Sequence, residues 1–298
     1  MSKGWNGRAP AGRVAYVNGR YVPHGHAGVH IEDRGFQLGD AVYEVCAVVD
    51  GALMDEEEHL DRLVRSVGEI EMAMPMPRNA LKLVLREVVR RNGVQDGLLY
   101  LQVTRGAVRR DHPIPDKQPR PSLVITARSW DVGGAKKRHD DGIAVISAPD
   151  ERWGRVDIKT VQLLPNLLAK TAARRAGAYE AWLVDRDGMV TEGSSTTAWI
   201  VDAQGRLTTR NLTRAVLPGV TRRVILEAAA AAQLPVREVA FSLTDAQAAK
   251  EAFISSATGI VPVTKIDGQT LGDGRPGPLT RRVQELYEAE SERRAKGL

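Results

Sequence analysis

Two hydrophobic patterns alternate along the chain and predict its elements. Short apolar runs are typical of strands, and longer runs in which apolar residues return every three or four positions are typical of helices. Asn18-Gly19 interrupts the run 14–22 with a pair that accepts the positive φ angles of a two-residue turn, which predicts a β-hairpin. Further strands are predicted at 41–49, 98–105, 122–128, 143–148, 180–185, 196–202, 236–241 and 251–256, and helices at 55–69, 77–93, 164–177, 219–233 and 279–294.

The order of these elements indicates an α+β fold of two domains, because strands and helices do not alternate regularly. The stretch 129–142 is charged, contains glycine and lacks a hydrophobic period, which is typical of a linker. We therefore predict a smaller N-terminal domain over 1–128, an interdomain linker over 129–142 and a larger C-terminal domain over 143–298.

Composition favours a soluble cytoplasmic protein. No apolar run reaches the ~18 residues that span a bilayer, and the first twelve residues lack the apolar core of a secretion signal. The single cysteine, Cys46, cannot form an internal disulfide and is expected to be a small core residue. The net charge is +5, but basic residues are mixed with acidic ones, and the one short basic cluster, 135–139, contains no aromatic residue. Neither nucleic acid nor membrane is therefore an expected partner.

Several familiar ligand motifs are missing or weak. Neither a Walker loop nor a G-x-G-x-x-G sequence follows a predicted strand, so the chain carries no nucleotide-binding motif. His24, His26 and His30 lie close together in sequence, but we interpret them as surface residues and expect no metal site.

Three segments contain residue types suited to chemistry. Lys159 follows a predicted strand and Lys170 lies inside a predicted helix, and either amine is a candidate nucleophile on residue type alone. Glu192 precedes a glycine and a group of hydroxyl residues, although a solvent-exposed turn would have the same sequence. Pro218-Gly219 opens a predicted helix whose first turn contains Thr221, which suits an anion site but is also ordinary helix-start chemistry.

Together the three segments supply the groups that pyridoxal phosphate requires. This cofactor needs a lysine for its aldehyde, an acid beside its ring nitrogen and a cradle for its phosphate. The combination is more specific than any one of its parts.

Six sequence blocks resemble the successive blocks of the fold-type-IV pyridoxal-phosphate enzymes, the class IV aminotransferases, and among them the D-amino-acid aminotransferase branch. The resemblance extends from about residue 13 to 290. The blocks are EDRGFQLGDAVYEV, EHLDRL, VTRGAVRRDH, DIKTVQLLPNLLAK, TEGSSTTAW and LPGVTRRV.

The resemblance implies a role for each matching residue. Lys159 matches the Schiff-base lysine, which makes Lys170 a helix-surface residue, and Glu192 matches the carboxylate at the pyridine nitrogen. Phosphate ligands are implied at Arg62, Val220, Thr221 and Thr258. The substrate carboxylate is implied to bind Tyr43, Arg110 and His112, with the Arg-x-His pair reaching in from the neighbouring subunit of a homodimer.

Arg62 receives two incompatible interpretations. It lies about 200° around the helix from Leu60, opposite the apolar stripe, so periodicity predicts that it faces solvent. The resemblance instead directs it toward the cofactor.

The implied activity is transamination with pyridoxal 5′-phosphate, from a D-amino acid such as D-alanine or D-glutamate to 2-oxoglutarate or pyruvate. Three alternatives remain open: an aminodeoxychorismate lyase of the same fold, a branched-chain or amine transaminase, and a basic binding module without a cofactor. The Arg110/His112 pair argues against the lyase. The preferred D-amino acid does not follow from the sequence.

Overall fold

The computed structural model describes residues 12–295, and the chain forms two compact units. The N-terminal unit ends at Trp130 but also includes Lys159–Gln162, and the C-terminal unit comprises Asp131–Ile158 and the chain from Leu163 onward. The first twelve residues, which lack the apolar core of a secretion signal, lie almost entirely outside the described range. None of the helices within 12–295 is long and apolar enough to span a membrane.

The N-terminal unit is built on one antiparallel sheet with strand order β2-β1-β6-β5-β3-β4 among the described residues. Its strands are β1 (Val14–Val17), β2 (Arg20–Pro23), β3 (Ala41–Val49), β4 (Ala52–Leu53), β5 (Gly97–Thr104) and β6 (Ser122–Ser129), its helices are α1 (Arg34–Leu38), α2 (Glu56–Glu69) and α3 (Arg78–Arg91), and a 3₁₀ turn spans His24–His26.

The predicted hairpin is present, since β1 and β2 pair in antiparallel register on either side of the predicted turn. Asn18 and Gly19 have φ angles of 48° and 96°. These values require residues that tolerate the left-handed region, which is why this pair of residue types identifies the turn.

Helix α2 buries a different face from the one its apolar period predicts. Leu60 and Leu63 are buried as predicted, but Val64 is 44% exposed and Arg62 is only 9% exposed. The prediction from periodicity that Arg62 faces solvent is therefore wrong. The guanidinium is buried because it pairs with the buried carboxylate of Glu44 on β3.

The C-terminal unit has a mixed sheet with order β12-β11-β10-β13-β14-β7-β8-β9, and β15 pairs with β14. Parallel pairing joins β11 to β12, β14 to β7 and β7 to β8. Its strands are β7 (Ile143–Pro149), β8 (Glu180–Val184), β9 (Val190–Gly193), β10 (Thr197–Val201), β11 (Leu207–Thr209), β12 (Val236–Glu238), β13 (Glu251–Ser256), β14 (Gly259–Ile266) and β15 (Gln269–Thr270), and its helices are α4 (Val132–Asp141), α5 (Leu164–Arg175), α6 (Val220–Ala231), α7 (Leu243–Gln247) and α8 (Pro278–Ala295).

The segment predicted as an aperiodic linker, 129–142, contains helix α4 instead. The side chain of Asp131 caps its start by accepting a hydrogen bond from the backbone N–H of Gly134 at 3.1 Å. Lys136 and Asp140 pair across one turn at 2.7 Å. Capping and side-chain pairs of this kind stabilise a helix that has no apolar stripe.

The core of the C-terminal unit holds the strands around Glu192 in place. Trp182 on β8 is fully buried, and Trp199 on β10 stacks on Phe253 of β13 with ring centroids 5.4 Å apart. Strand β9 lies beside β8 and all four of its residues are buried. A polar residue on β9 is therefore held by a rigid framework.

Candidate active site

Lys159 lies on an extended segment that pairs with the start of β3. The backbone N–H of Tyr43 donates to the carbonyl of Lys159 at 3.0 Å, and the N–H of Val161 donates to the carbonyl of Ala41 at 3.2 Å. This pairing explains why Lys159–Gln162 belong to the N-terminal unit. Lys159 therefore sits on a short bridge to β3 and not at the end of a regular strand, as the sequence predicts.

The amine of Lys159 lies against Tyr43. Its Nζ is 3.4 Å from the Tyr43 hydroxyl and 4.4 Å from the centre of the ring. The ring of Tyr43 stacks on Tyr100 with centroids 5.6 Å apart, and burial raises the pKa of Tyr100 to about 12. Two residues that the resemblance assigns to the site, Lys159 and Tyr43, are thus brought together and backed by a neutral aromatic ring.

Arg62 is fixed by a buried carboxylate that no sequence motif identifies. Its Nε and Nη2 donate to the two oxygens of Glu44 at 2.8 Å each, and Nδ1 of His59 lies 2.8 Å from the same carboxylate. Burial would raise the pKa of Glu44, but the charge of Arg62 and these hydrogen bonds lower it to about 2. Glu44 is therefore an anion at neutral pH and locks the orientation of the guanidinium.

Arg110 and His112 lie on the loop between β5 and β6, and both are exposed. They follow one another on extended, irregular chain as the sequence predicts. Exposure leaves both side chains accessible to an anionic ligand.

Glu192 is buried on β9 and pairs with an arginine that sequence reasoning missed. The carboxylate accepts a hydrogen bond from Arg152 through one oxygen and from the backbone N–H of Leu217, at 3.2 Å, through the other. Arg152 is itself held by Asp150 at 2.7 Å. Burial would lower the pKa of Arg152, but the carboxylates of Asp150 and Glu192 raise it. This double pairing keeps Glu192 ionised, and a carboxylate with two partners still has acceptor capacity for a third.

The turn after Glu192 is organised by Glu180 on β8. A Cβ atom on Gly193 would lie 2.1 Å from the Thr196 hydroxyl, so the turn requires glycine. Ser195 donates to the fully buried carboxylate of Glu180 at 2.9 Å. Lys170 lies 3.1 Å from the same carboxylate and is 36% exposed, so this lysine is a partly buried structural partner and not a simple surface residue.

Helix α6 begins close to the chain that contacts Glu192. Gly219 is its N-cap residue and provides no side-chain cap, and Thr221 in the first turn is buried. A Cβ atom on Gly219 would lie 3.1 Å from the hydroxyl of Thr197. The first-turn N–H groups, the buried hydroxyl and the helix dipole make this end of the helix suitable for an anion. Val220 is the first residue of that turn.

Thr258 lies on the exposed turn between β13 and β14. Its hydroxyl is 2.8 Å from the hydroxyl of Ser256, and its backbone N–H donates to the same oxygen at 3.2 Å. The turn therefore presents two neighbouring hydroxyl groups to its surroundings.

These residues fit the functional groups of pyridoxal phosphate. The N-terminal unit supplies an amine beside a tyrosine hydroxyl, and the C-terminal unit supplies a carboxylate held ionised by Arg152 and a helix start without a side-chain cap. An aldehyde, a protonated ring nitrogen and a phosphate match these three features in turn.

Comparisons with known proteins agree on one family. Residues 41–266 match the family model described as amino-transferase class IV. The D-alanine aminotransferase of Bacillus licheniformis is 40% identical over 270 residues, which are 90% of this chain and 93% of that protein. The D-alanine aminotransferase of Listeria innocua serovar 6a is 39% identical over 276 residues, 92% and 94% of the two chains.

Solved structures with the same fold include branched-chain amino acid aminotransferases. The enzyme from Escherichia coli has a TM-score of 0.83 at 26% identity and covers 93% of this chain and 94% of its own. A second enzyme, from the thermophile abbreviated T.th. and solved with pyridoxamine 5′-phosphate, has a TM-score of 0.85 at 25% identity and covers 96% of both chains.

Proposed function

The chain belongs to the class IV aminotransferases, and we propose that it moves the amino group of a D-amino acid, such as D-alanine or D-glutamate, to 2-oxoglutarate or pyruvate. The observation that carries the proposal is the 40% identity to a D-alanine aminotransferase over nine tenths of the chain. Family membership and the fold-type-IV architecture are both expected from the sequence blocks, and the comparisons confirm them.

The proposed cofactor is pyridoxal 5′-phosphate, in keeping with the pyridoxamine 5′-phosphate of the second branched-chain enzyme. Lys159 would hold its aldehyde carbon and Glu192 its ring nitrogen. The phosphate would be held by Arg62, Val220, Thr221 and Thr258. Supporting this assignment are the fixed guanidinium of Arg62 and the uncapped start of α6.

The chain's own residues have distinct roles in the proposed reaction. Bound pyridoxal phosphate supplies an aldehyde that takes up the amino group and a ring that withdraws electrons from the substrate α carbon. The amine of Lys159 removes the α proton, and the Tyr43 hydroxyl at 3.4 Å orients that amine. Glu192, kept ionised by Arg152, holds a proton on the ring nitrogen. Two substrates bind in turn, so ping-pong kinetics are expected.

Arg110, His112 and Tyr43 are proposed to hold the α-carboxylate of every amino-acid substrate through charge-assisted hydrogen bonds. With the carboxylate held on one side, the α hydrogen faces Lys159 in one enantiomer only. The sequence relatives indicate that this enantiomer is D.

We expect D-alanine to be preferred over L-leucine, and Arg110→Ala to lower kcat/KM for D-alanine about 30-fold, because loss of a charge-assisted pair costs about 2 kcal/mol. A simple chiral amine, which lacks the carboxylate, should be affected little. The measurement is kcat/KM for the three donors in both chains, with Arg109→Ala as a matched control in the same loop.

Preference for L-leucine would instead support the branched-chain function of the structural neighbours, whose TM-scores of 0.83 and 0.85 reflect the shared fold. Failure to transfer the amino group of D-alanine to 2-oxoglutarate would favour a lyase of this fold. Full activity of Arg110→Ala on D-alanine would refute the carboxylate assignment and leave the cofactor assignment unaffected.

We further propose that the protein is a homodimer in which Arg110 and His112 complete the site of the partner subunit. Both side chains are exposed on their own chain, which supports a role outside it. The cytoplasm is the proposed compartment, and the buried free thiol of Cys46 is compatible with it.

Hybrid dimers test this sharing of sites. We expect an equal mixture of Lys159→Ala and Arg110→Ala chains, unfolded and refolded together, to recover about a quarter of wild-type activity, because half the dimers are mixed and each mixed dimer has one intact site. Each variant refolded alone is the control. If the mixture is no more active than the average of its parents, the Arg-x-His pair acts within its own subunit.

A further inference from the structure

The Arg110-Asp111-His112 segment is tied to a buried arginine that lies far away in sequence. Arg34 on α1 is only 4% exposed. Its Nη1 donates to the carbonyl of Asp111 at 2.7 Å, and its Nη2 donates to the carbonyl of His112 at 3.3 Å. The guanidinium fork therefore grips two consecutive peptide carbonyls of an otherwise exposed loop.

Arg34 is itself held rigidly. Its Nε donates to Asp40 at 2.7 Å, and a second buried arginine, Arg105, donates to the same carboxylate at 2.7 Å. Burial would raise the pKa of Asp40, but hydrogen bonds from Arg105 and Arg34 lower it. The ion cluster thus fixes all three N–H directions that Arg34 uses.

The neighbouring glycine allows α1 to approach the end of β5. A Cβ atom on Gly35 would lie 2.4 Å from Cγ2 of Thr104, so no other residue fits without displacing the strand. The side chain of Asp33 caps α1 by accepting from the N–H of Gly35 at 2.9 Å and also accepts from the hydroxyl of Thr104 at 2.8 Å. Asp33, Arg34 and Gly35 together anchor α1 beneath the loop.

We propose that Arg34 is a positioning residue for substrate recognition: by holding the carbonyls of Asp111 and His112, it keeps the Arg-x-His pair in the conformation that binds the substrate carboxylate. This inference rests on the proposed function of Arg110 and His112. Arg34 does not touch the substrate in this arrangement. Its contribution is to reduce the conformational freedom that an exposed loop loses on binding.

The expected effect of Arg34→Gln is a rise of about 10-fold in the apparent dissociation constant of D-alanine with the maximal rate changed less than about 2-fold, because binding is weakened and the reacting groups are untouched. The measurement is the half-reaction of the cofactor-loaded protein with D-alanine alone, followed by absorbance. A simple chiral amine in place of D-alanine should show no change.

A double-mutant cycle separates positioning from loss of stability. In an Arg110→Ala chain, Arg34→Gln should change the binding of D-alanine less than about 2-fold, since the loop no longer presents the guanidinium that Arg34 positions. An effect of equal size in both backgrounds, or no effect in the wild-type chain, overturns the proposal. If Arg110→Ala alone leaves binding intact, the carboxylate assignment fails first and the inference falls with it.

Two further variants guard against a folding defect. Arg34→Lys keeps the charge facing Asp40 but lacks the fork, and it should weaken D-alanine binding without a large fall in Tm. Arg105→Gln is the matched control, because Arg105 shares Asp40 but donates to the carbonyls of Ile70 and Glu71 at 2.6 and 3.0 Å. It should lower Tm and leave the D-alanine dissociation constant within about 2-fold. A rise equal to that of Arg34→Gln would assign the effect to stability and refute the proposal.

Discussion

Lys159→Ala is expected to lower kcat/KM for D-alanine by at least about 10⁴-fold, because the variant loses both the covalent attachment point and the proton-transfer group. The backbone of Lys159 pairs with β3 through its carbonyl, which the substitution retains, so the fold should persist. A small primary amine in the buffer should restore part of the activity by replacing the missing base.

Lys170→Ala is the matched control, since it removes the neighbouring lysine of the same sequence block. Its partner is the buried Glu180, so we expect a lower Tm and turnover within about 10-fold of wild type. Borohydride reduction followed by peptide mapping identifies the attachment point independently. Cofactor label on Lys170, or Lys159→Ala with wild-type turnover, would contradict the assignment.

Glu192→Gln is expected to reduce turnover of D-alanine by about 10²-fold or more, since loss of the negative charge costs about 3 kcal/mol in the transition state. The amide is close in shape to the carboxylate, so the cofactor should remain bound. Turnover, the absorbance of the bound cofactor and Tm are measured together. The Tm should fall, because Arg152 loses one of its two anionic partners in a buried position.

Glu285→Gln makes the same chemical change at a carboxylate that is 66% exposed on α8, and it should alter neither turnover nor Tm appreciably. A Glu192→Gln chain with normal turnover would mean that another group faces the ring nitrogen. A chain that no longer binds cofactor at all would mean that the charge is needed for binding and not only for the reaction.

The pairing of Arg152 with Glu192 also explains why a buried glutamate on a strand is stable in this protein. A single buried carboxylate would shift its pKa upward and become neutral. Arg152, itself fixed by Asp150, supplies the opposite charge that prevents this. The sequence marks Arg152 only by its place seven residues before Lys159, which is too little to select it.

Most elements can be predicted from the chain alone because they depend on neighbouring residues. Asn18-Gly19 defines a hairpin through backbone conformation, and β3, α3 and α5 follow from local hydrophobic pattern. Strand β14 is absent from the predicted elements; it contains Pro262, which lacks a backbone donor and interrupts the usual signal of a strand. Lys159 and Glu192 can be selected because a family's motif is itself local sequence.

The contacts that hold the candidate site depend on residues far apart in the chain, and only the folded protein reveals them. Arg34 meets the loop at Asp111 across 77 positions, and Lys159 meets Tyr43 across 116. Arg62 is buried because a carboxylate on another element neutralises its charge, and a helical period records hydrophobicity but not the position of such a partner. Local pattern therefore identifies the elements and the reactive residues, and long-range electrostatic pairing determines how those residues are held.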